Sequence, residues 1–324
     1  MDNLSDALID SLVSACVISS PSAWAQIVDI YPTCPTPSTL IMNPSIQLEH
    51  IQKMVSSIKE PLVVGIGGGR IMDATKALAK LAKKSCLLIP SILSTTAWLN
   101  PTASLKKGSR VHHAKGTYDS IIIDCRLIAA APSHLNFGGL MDLMVGISGL
   151  ADWKLKKWKK GGYFPKLAER VVGDYCDHIR SFMETTTEIT PEVVPQMANY
   201  FVEGIANCYG LLSGRPLESG EHFLYYAIEE QIDRPMNHGA LISLCMLICL
   251  RLHGASSLYV HPDTLRSLMK ICNIRYTLGD LDITPEQLIG ILKGMKTFVE
   301  RHQYPFSIWN LTHHFNAFSV KDFM

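Results

Sequence analysis

Residues Pro61-Leu-Val-Val-Gly-Ile-Gly-Gly-Gly-Arg-Ile-Met-Asp-Ala-Thr-Lys76 carry an apolar strand into three consecutive glycines and straight on into an amphipathic helix. Gly67, Gly68 and Gly69 have no Cβ, so a bulky anion can come close to the backbone. The helix behind them aims unpaired N–H groups and its positive dipole end at the same point. This combination predicts a phosphate-binding turn, whose commonest occupant in an α/β enzyme is a dinucleotide. The spacing is not Gly-x-Gly-x-x-Gly, and no Gly-Lys-Ser/Thr follows to make a P-loop. The competing reading is a strand–turn–helix corner in which the glycines only relieve crowding.

Around this stretch, strand and helix signals alternate. Leu62 to Ile66 reads as a strand, Ile71 to Lys83 as a helix, and Cys86 to Ile89 as a strand ending at Pro90. Thr39-Leu-Ile-Met42 is a short apolar run, Gln47 to Ile58 has helical spacing, and Ser120 to Asp124 is a further strand. Such alternation means a mostly parallel sheet with helices on both faces. Leu4 to Val17 reads as a helix, followed by Pro-rich chain from Pro32 to Pro37. From about Leu140 onward the periodicity is helical, broken at Gly161-Gly162, Gly214-Arg-Pro216, Arg234-Pro235 and Asp282 to Pro285. Two domains follow: residues 1–131, α/β and dinucleotide-binding, and residues 132–324, all-helical.

Composition agrees with a chain of about two domains. With 47% apolar and 18% charged residues it can bury a large core. A net charge of +1 gives no reason to expect nucleic acid or an anionic membrane as partner. Lys154-Leu-Lys-Lys-Trp-Lys-Lys160 concentrates five lysines, which read as a solvated helix face or, alternatively, a patch that attracts a phosphorylated ligand. None of the nine cysteines forms a Cys-x-x-Cys pair, which suits free thiols in a reducing, cytoplasmic setting. The acidic start Met-Asp-Asn-Leu-Ser-Asp does not resemble a secretory signal. The greasiest run, Ala240 to Leu250, is shorter than the roughly 20 residues a bilayer span needs.

Three residues of the helical half stand out as metal ligands. Asp142 follows Gly138-Gly-Leu-Met, His222 follows Glu218-Ser-Gly-Glu, and His238 sits in Arg234-Pro-Met-Asn-His-Gly239. One carboxylate and two imidazoles make a common shell for a catalytic divalent ion, with a position left open. The bland alternative for each histidine is a structural hydrogen bond, since twelve histidines offer many accidental triplets.

Taken together, Gly67 to Lys76, Ile89-Pro-Ser-Ile-Leu-Ser-Thr-Thr96, the strand ending in Asp124, Gly139-Leu-Met-Asp142, Ala151-Asp-Trp153, Ser219-Gly-Glu-His222 and His238-Gly239 resemble one family. It unites iron-containing alcohol dehydrogenases, glycerol dehydrogenases, sn-glycerol-1-phosphate dehydrogenases and dehydroquinate synthases. The Asp-Trp and Ser-Gly-Glu-His segments are most similar to the glycerol-1-phosphate dehydrogenase branch. The resemblance implies a Rossmann-like α/β domain followed by an all-α metal domain, a dehydroquinate synthase-like fold. It implies NAD or NADP on Gly67, Gly68 and Gly69 with Asp73 nearby, and Ser91, Ser94 and Thr95 beside the nicotinamide. Asp142, His222 and His238 would hold Zn²⁺, or Fe²⁺ or Ni²⁺, in a cleft between the domains. The activity implied is a metal-dependent NAD(P) oxidoreductase that interconverts alcohol and ketone on a small polyol or its phosphate. The alternatives are a sugar-phosphate cyclase and a non-catalytic or partner-dependent relative.

Two departures qualify the resemblance. Where that branch carries an aspartate, Ser94-Thr-Thr-Ala-Trp-Leu-Asn100 has no acid, and Asn100 would replace part of its hydrogen bonding. Lys106, Lys107, Arg110, His112, His113 and Lys115 offer basic groups for a phosphorylated or carboxylated substrate, with Lys106 and Arg110 singled out, and a solvated loop is the alternative reading. Second, one strand–helix element is missing ahead of Thr39 on this reading, which would expose a sheet edge and favour a homo-oligomer such as a dimer.

Overall fold

The computed structural model describes residues 9, 12–212, 215–232, 234, 236–254, 260–315 and 321–323. Seven strands are present among these: β1 (Ala15–Ser19), β2 (Thr39–Met42), β3 (Leu62–Gly67), β4 (Ser85–Pro90), β5 (Thr102–Lys107), β6 (Arg110–Lys115) and β7 (Ser120–Ile121). Five of them form one parallel sheet in the order β2-β1-β3-β4-β7, and β5 and β6 form a separate antiparallel hairpin.

The expected helix over Leu4 to Val17 is corrected by β1. Leu12–Ser14 is a 3₁₀ turn, Ala15–Ser19 is strand, and residues 1–8, 10 and 11 lie outside the described residues. All five residues of β1 are buried. A parallel strand covered on both faces is a continuous apolar run without alternation, so spacing alone cannot tell it from a buried helix. Ser20 then caps α1 (Pro21–Ile30): its hydroxyl accepts from the Ala23 amide at 3.2 Å, with Pro21 in the first turn. The strand–helix element expected to be missing ahead of Thr39 is therefore present as β1 and α1. β1 lies between β3 and β2, in register Cys16 with Thr39 through Ser19 with Met42, and β2 is the outermost strand on that side.

Helices α2 (Leu48–Met54) and α3 (Gly69–Ala82) fall where the helical spacing predicts, α2 closing in a 3₁₀ turn over Val55–Ser57. The strand expected to reach Asp124 stops at Ile121. Asp124 instead caps α4 (Cys125–Ala129): one carboxylate oxygen accepts from the Leu127 amide at 2.9 Å and the other from the Tyr31 hydroxyl. An aspartate that bonds forward to a helical N–H leaves the strand ladder. One core cluster joins Val17, Ile27, Val64, Ile66, Ile89 and Leu127 under this face of the sheet.

The strand order has a physical consequence. The chain leaves β1 toward β2 and then crosses back past β1 to β3, so the connections diverge between β1 and β3. In open parallel sheets ligands bind outside the C-terminal ends of the strands at such a point. Those ends are Ser19 and Gly67.

The chain divides into two compact units, Met1–Pro132 with Ile189–Ala198, and Ser133–Glu188 with Asn199–Met324. The second part is helical: α5 (Ser133–Met144), α6 (Gly146–Lys160), α7 (Lys166–Thr185), α8 (Val194–Leu212), α9 (Gly220–Gln231), α10 (His238–His253), α11 (Pro262–Ile271) and α12 (Pro285–Arg301). No described helix is long and apolar enough to cross a membrane.

Candidate active site

In the first unit the glycine turn closes against the loop after β4. The Ser91 amide donates to the Gly67 carbonyl at 3.0 Å. A Cβ on Gly69 would stand 2.7 Å from the Thr95 hydroxyl oxygen, and one on Gly67 2.7 Å from Cγ1 of Ile71. Gly69 thus lets the loop approach the helix start, while Gly67 lets α3 pack onto β3. Gly67 and Gly69 thus relieve crowding at this turn. Gly68 caps α3 without any side-chain hydrogen bond, so the first-turn N–H groups have no side-chain acceptor at the cap. The residue types fit a pyrophosphate: backbone donors, a helix dipole and no Cβ at the cap.

The other residues expected around a cofactor are placed as follows. Ser91 is buried and Ser94 half-buried. The Thr95 hydroxyl accepts from the Ala97 amide at 3.1 Å and so caps the 3₁₀ turn Thr96–Trp98. Asp73 is buried and pairs with Lys76 Nζ at 3.1 Å. Burial pushes its carboxyl up, and Lys76 opposes that shift. Lys76 is fully buried and donates to the carbonyls of Ala97 at 2.7 Å, Asn100 at 3.0 Å and Thr102. One ammonium therefore holds the loop from Ala97 to Thr102 onto α3. The Asn100 side-chain oxygen accepts from Thr102, amide at 3.2 Å and hydroxyl at 2.9 Å. Lys106 and Arg110 lie on β5 and β6, Lys106 half-buried and Arg110 exposed.

In the second unit α5 and α10 touch at two glycines. A Cβ on Gly239 would stand 2.5 Å from Cα of Gly138, a clash with backbone that no rotamer relieves. One turn after Gly138 comes Asp142, and beside Gly239 stands His238. The crossing therefore brings His238 Nε2 to 3.0 Å from Asp142 Oδ1. His222, in the first turn of α9, brings its Nε2 to 3.4 Å from the same oxygen. One donor atom from each of the three residues lies within 4.8 Å of the others.

The environment of His222 distinguishes its two ring nitrogens. Glu221 is fully buried, and its Oε1 lies 3.2 Å from His222 Nδ1. Glu221 is itself held: Oε1 accepts from the Ser219 amide at 2.8 Å and Oε2 from the Ser148 hydroxyl at 2.7 Å. With Nδ1 committed to Glu221, Nε2 faces Asp142. Metal-ligating histidines commonly show this carboxylate–imidazole arrangement. Burial pushes the His222 imidazole down, but hydrogen bonds and charge from Asp142 and Glu221 win and raise it to about 10. Burial likewise pushes Asp142 up, and the two imidazoles outweigh it, holding the carboxyl well below the usual range. A cation bound at Asp142 would meet a buried anion and two imidazoles, so the donor set fits a divalent metal.

A second carboxylate, Asp152, fixes the start of α9. Its Oδ2 accepts from the Ser219 hydroxyl at 2.7 Å and the Gly220 amide at 2.8 Å. Its Oδ1 accepts from the Ile308 amide at 2.6 Å and lies 3.0 Å from His253 Nε2. Tyr225 packs edge-on against His238, with centroids 4.7 Å apart. Glu221, Ser148, Asp152, His253 and Lys76 carry no assigned role in the sequence reading. Glu221 and Asp152 were visible inside the Ser-Gly-Glu-His and Ala-Asp-Trp segments, but only the packing shows what each carboxylate touches.

Comparison with known proteins bears out the resemblance. The profile of the iron-containing alcohol dehydrogenase family matches residues 32–132. The chain is 26% identical over 250 residues to a glycerol-1-phosphate dehydrogenase [NAD(P)+] of Hyperthermus butylicus, covering 76% of this chain and 70% of that one. It is 28% identical over 272 residues to the same enzyme of Pyrobaculum aerophilum, covering 78% of this chain and 75% of that one. Among solved structures, the sulfoacetaldehyde reductase of Bifidobacterium kashiwanohense in complex with NAD+ has a TM-score of 0.62 at 16% identity, with 97% of this chain and 90% of that one covered.

Proposed function

We propose that this chain is an NAD(P)-linked dehydrogenase that interconverts alcohol and ketone on a small polyol phosphate, using a divalent metal held by Asp142, His222 and His238. The observation that carries the reading is the convergence of those three side chains to within 4.8 Å. Similarity to glycerol-1-phosphate dehydrogenases supports the substrate class. A bound metal supplies a Lewis acid that acidifies a substrate hydroxyl, and a bound nicotinamide supplies the hydride acceptor. Zinc is the first choice for one carboxylate and two imidazoles, with iron or nickel as competitors.

The chain's own residues do the positioning. Asp142 brings the charge, and His222 and His238 bring neutral donors. Glu221 presents Nε2 of His222. Gly67, Gly68 and Gly69 would take the cofactor's pyrophosphate, and Ser91, Ser94 and Thr95 would line the nicotinamide. Asp73 stands next to that turn as the partner of Lys76. Asn100, Lys106 and Arg110 are the groups proposed for the substrate's phosphate end. With β1 and α1 in place, the reason for reading the chain as partner-dependent is gone.

The test is NADH consumption by the zinc-loaded protein with dihydroxyacetone phosphate and a panel of other ketoses. Oxidation of NADH is expected with the phosphorylated ketone, and His238→Ala should lower the rate by roughly 1,000-fold and lose the metal. No NADH turnover over the whole panel, with metal and cofactor both bound, would sink the proposal. A carbocyclic product without net NADH change would favour the cyclase instead.

A further inference from the structure

Charge in this chain is unevenly spread. Between Lys154 and Arg170 seven basic residues stand against one acid, Glu169, so this stretch carries +6 while the whole chain carries +1. The only acid in it is already taken, because Glu169 pairs with Lys154. Lys156, Lys157, Lys159 and Lys160 have no acidic partner among the described residues, and the last three are exposed. Within the same stretch stand two large aromatic residues in water: Trp158 is 75% exposed and Tyr163 80% exposed. Leu167, at 38%, adds exposed aliphatic surface within the same stretch.

The end of α6 and the loop after it are held in this presentation. The Trp153 indole donates to the Tyr163 carbonyl at 3.0 Å, and the Trp153 ring meets Phe164 edge-on at 5.5 Å. The two preceding glycines, Gly161 at φ 73° and Gly162 at φ 106°, supply backbone angles that other residues rarely adopt. Anchoring the backbone inward leaves the Tyr163 side chain pointing out. Lys159 Nζ lies 3.8 Å over the Trp158 ring, so the exposed indole already carries a cation on its face.

Neutralising the helix dipole needs one or two cations, not this many, and accounts for no exposed Trp. A second copy of the chain across a twofold axis would set like charges against each other. An anionic bilayer surface suits every part. Lysine stems cover apolar surface while the ammonium groups reach headgroup phosphates. Trp and Tyr prefer the boundary between headgroups and acyl chains. Lysines dominate over arginine here, which suits diffuse attraction to a charged surface better than base recognition.

We propose that the C-terminal end of α6 with the loop through Tyr163 and the start of α7 is a docking surface for anionic lipid membranes, with Trp158 and Tyr163 seated at the interface and the lysines around them on the headgroups. This holds the protein at the membrane surface without spanning it, and it does not depend on the reaction assigned above.

The test is co-sedimentation of the full chain with vesicles of phosphatidylcholine alone and of phosphatidylcholine mixed with phosphatidylglycerol. Binding is expected only to the mixed vesicles, at low salt, and should be lost at high salt. Replacing Lys157, Lys159 and Lys160 together by serine should weaken partitioning by roughly a hundredfold, and Trp158→Ser with Tyr163→Ser should weaken it at equal charge. Because these side chains lie on the surface, both variants should keep the thermal midpoint and NADH binding of the parent. Equal partitioning onto neutral and mixed vesicles, no effect of the lysine replacements, or tighter binding to a homopolymeric RNA than to the mixed vesicles would each overturn the proposal.

Discussion

His222 offers two nitrogens, and Glu221 decides which of them is available. Because Nδ1 is 3.2 Å from a carboxylate that Ser148 and Ser219 hold in place, Nε2 is left for a cation beside Asp142. Glu221→Gln should lower zinc affinity by about 10- to 100-fold, read by competition with a chromogenic chelator, and Ser148→Ala should do so to a smaller degree. An unchanged affinity would mean that Asp142 alone orients the ring. The pH dependence has a defined sign. Without metal, the folded state raises His222 from 6.5 to about 10. The stability this imidazolium contributes is therefore complete below pH 6.5 and is lost as pH rises through about 10. A metal must displace that proton, so zinc affinity should climb with pH over the same interval, with proton release seen in weakly buffered solution. Cysteines give a separate residue-level check. All nine are free, and only Cys34 and Cys125 are not fully buried. Burial raises Cys16, Cys86, Cys208 and Cys272 to about 12. An aromatic disulfide reagent should therefore label at most two thiols quickly in the native protein and all nine after denaturation.

Helix crossings and loop anchors decide whether those residues meet. Gly239→Ala would place a methyl group 2.5 Å from Cα of Gly138, so α5 and α10 must separate. The expected cost is about 1–3 kcal/mol in urea denaturation, with zinc affinity falling as His238 and Asp142 part. Lys76→Met should be more severe, about 3–5 kcal/mol, because it leaves Asp73 buried without its counter-ion and three carbonyls without a donor. Legibility differed between elements. Strand β3 and helix α3 were plain from Pro61 to Lys76, because an apolar run, a glycine cluster and a 3.6-residue period change hands within sixteen residues. Strand β1 is not legible in the sequence, since full burial on both faces removes the alternation that marks a strand, and the apolar residues Leu4, Leu8, Leu12 and Val13 ahead of it carry a helix-like spacing. Ser20-Pro21, a capping residue before a first-turn proline, was the signal that should have started a helix there. At Asp124 the reverse happened: a capping side chain was read as the end of a strand.

At the scale of the molecule, two compact units carry different residues of the proposed chemistry, the glycine turn in one and Asp142, His222 and His238 in the other. Hydrogen exchange should separate them. Zinc should slow exchange in α5, α9 and the start of α10, and NADH should slow it at Gly67 to Arg70 and along Ser91 to Thr95. Protection by NADH at α9 alone would contradict the assignment of the turn to the cofactor. The metal should also stabilise the folded chain, by about 2.7 kcal/mol when free zinc is a hundred times its dissociation constant. What the amino-acid sequence determined by itself is local: the strand–glycine–helix corner, the change from alternating to helical periodicity, and the choice of Asp142, His222 and His238 as the residues expected to hold a metal. These are legible because a turn, a period and a ligand's chemistry each depend on a few neighbouring residues. Only the tertiary structure decided that β1 lies inside the sheet, that Lys76 ties down Ala97 to Thr102, and that Glu221 and Asp152 orient α9. Those facts depend on which buried polar group faces which across 21 to 156 residues of chain, and a buried charge finds its partner through packing that no local pattern encodes.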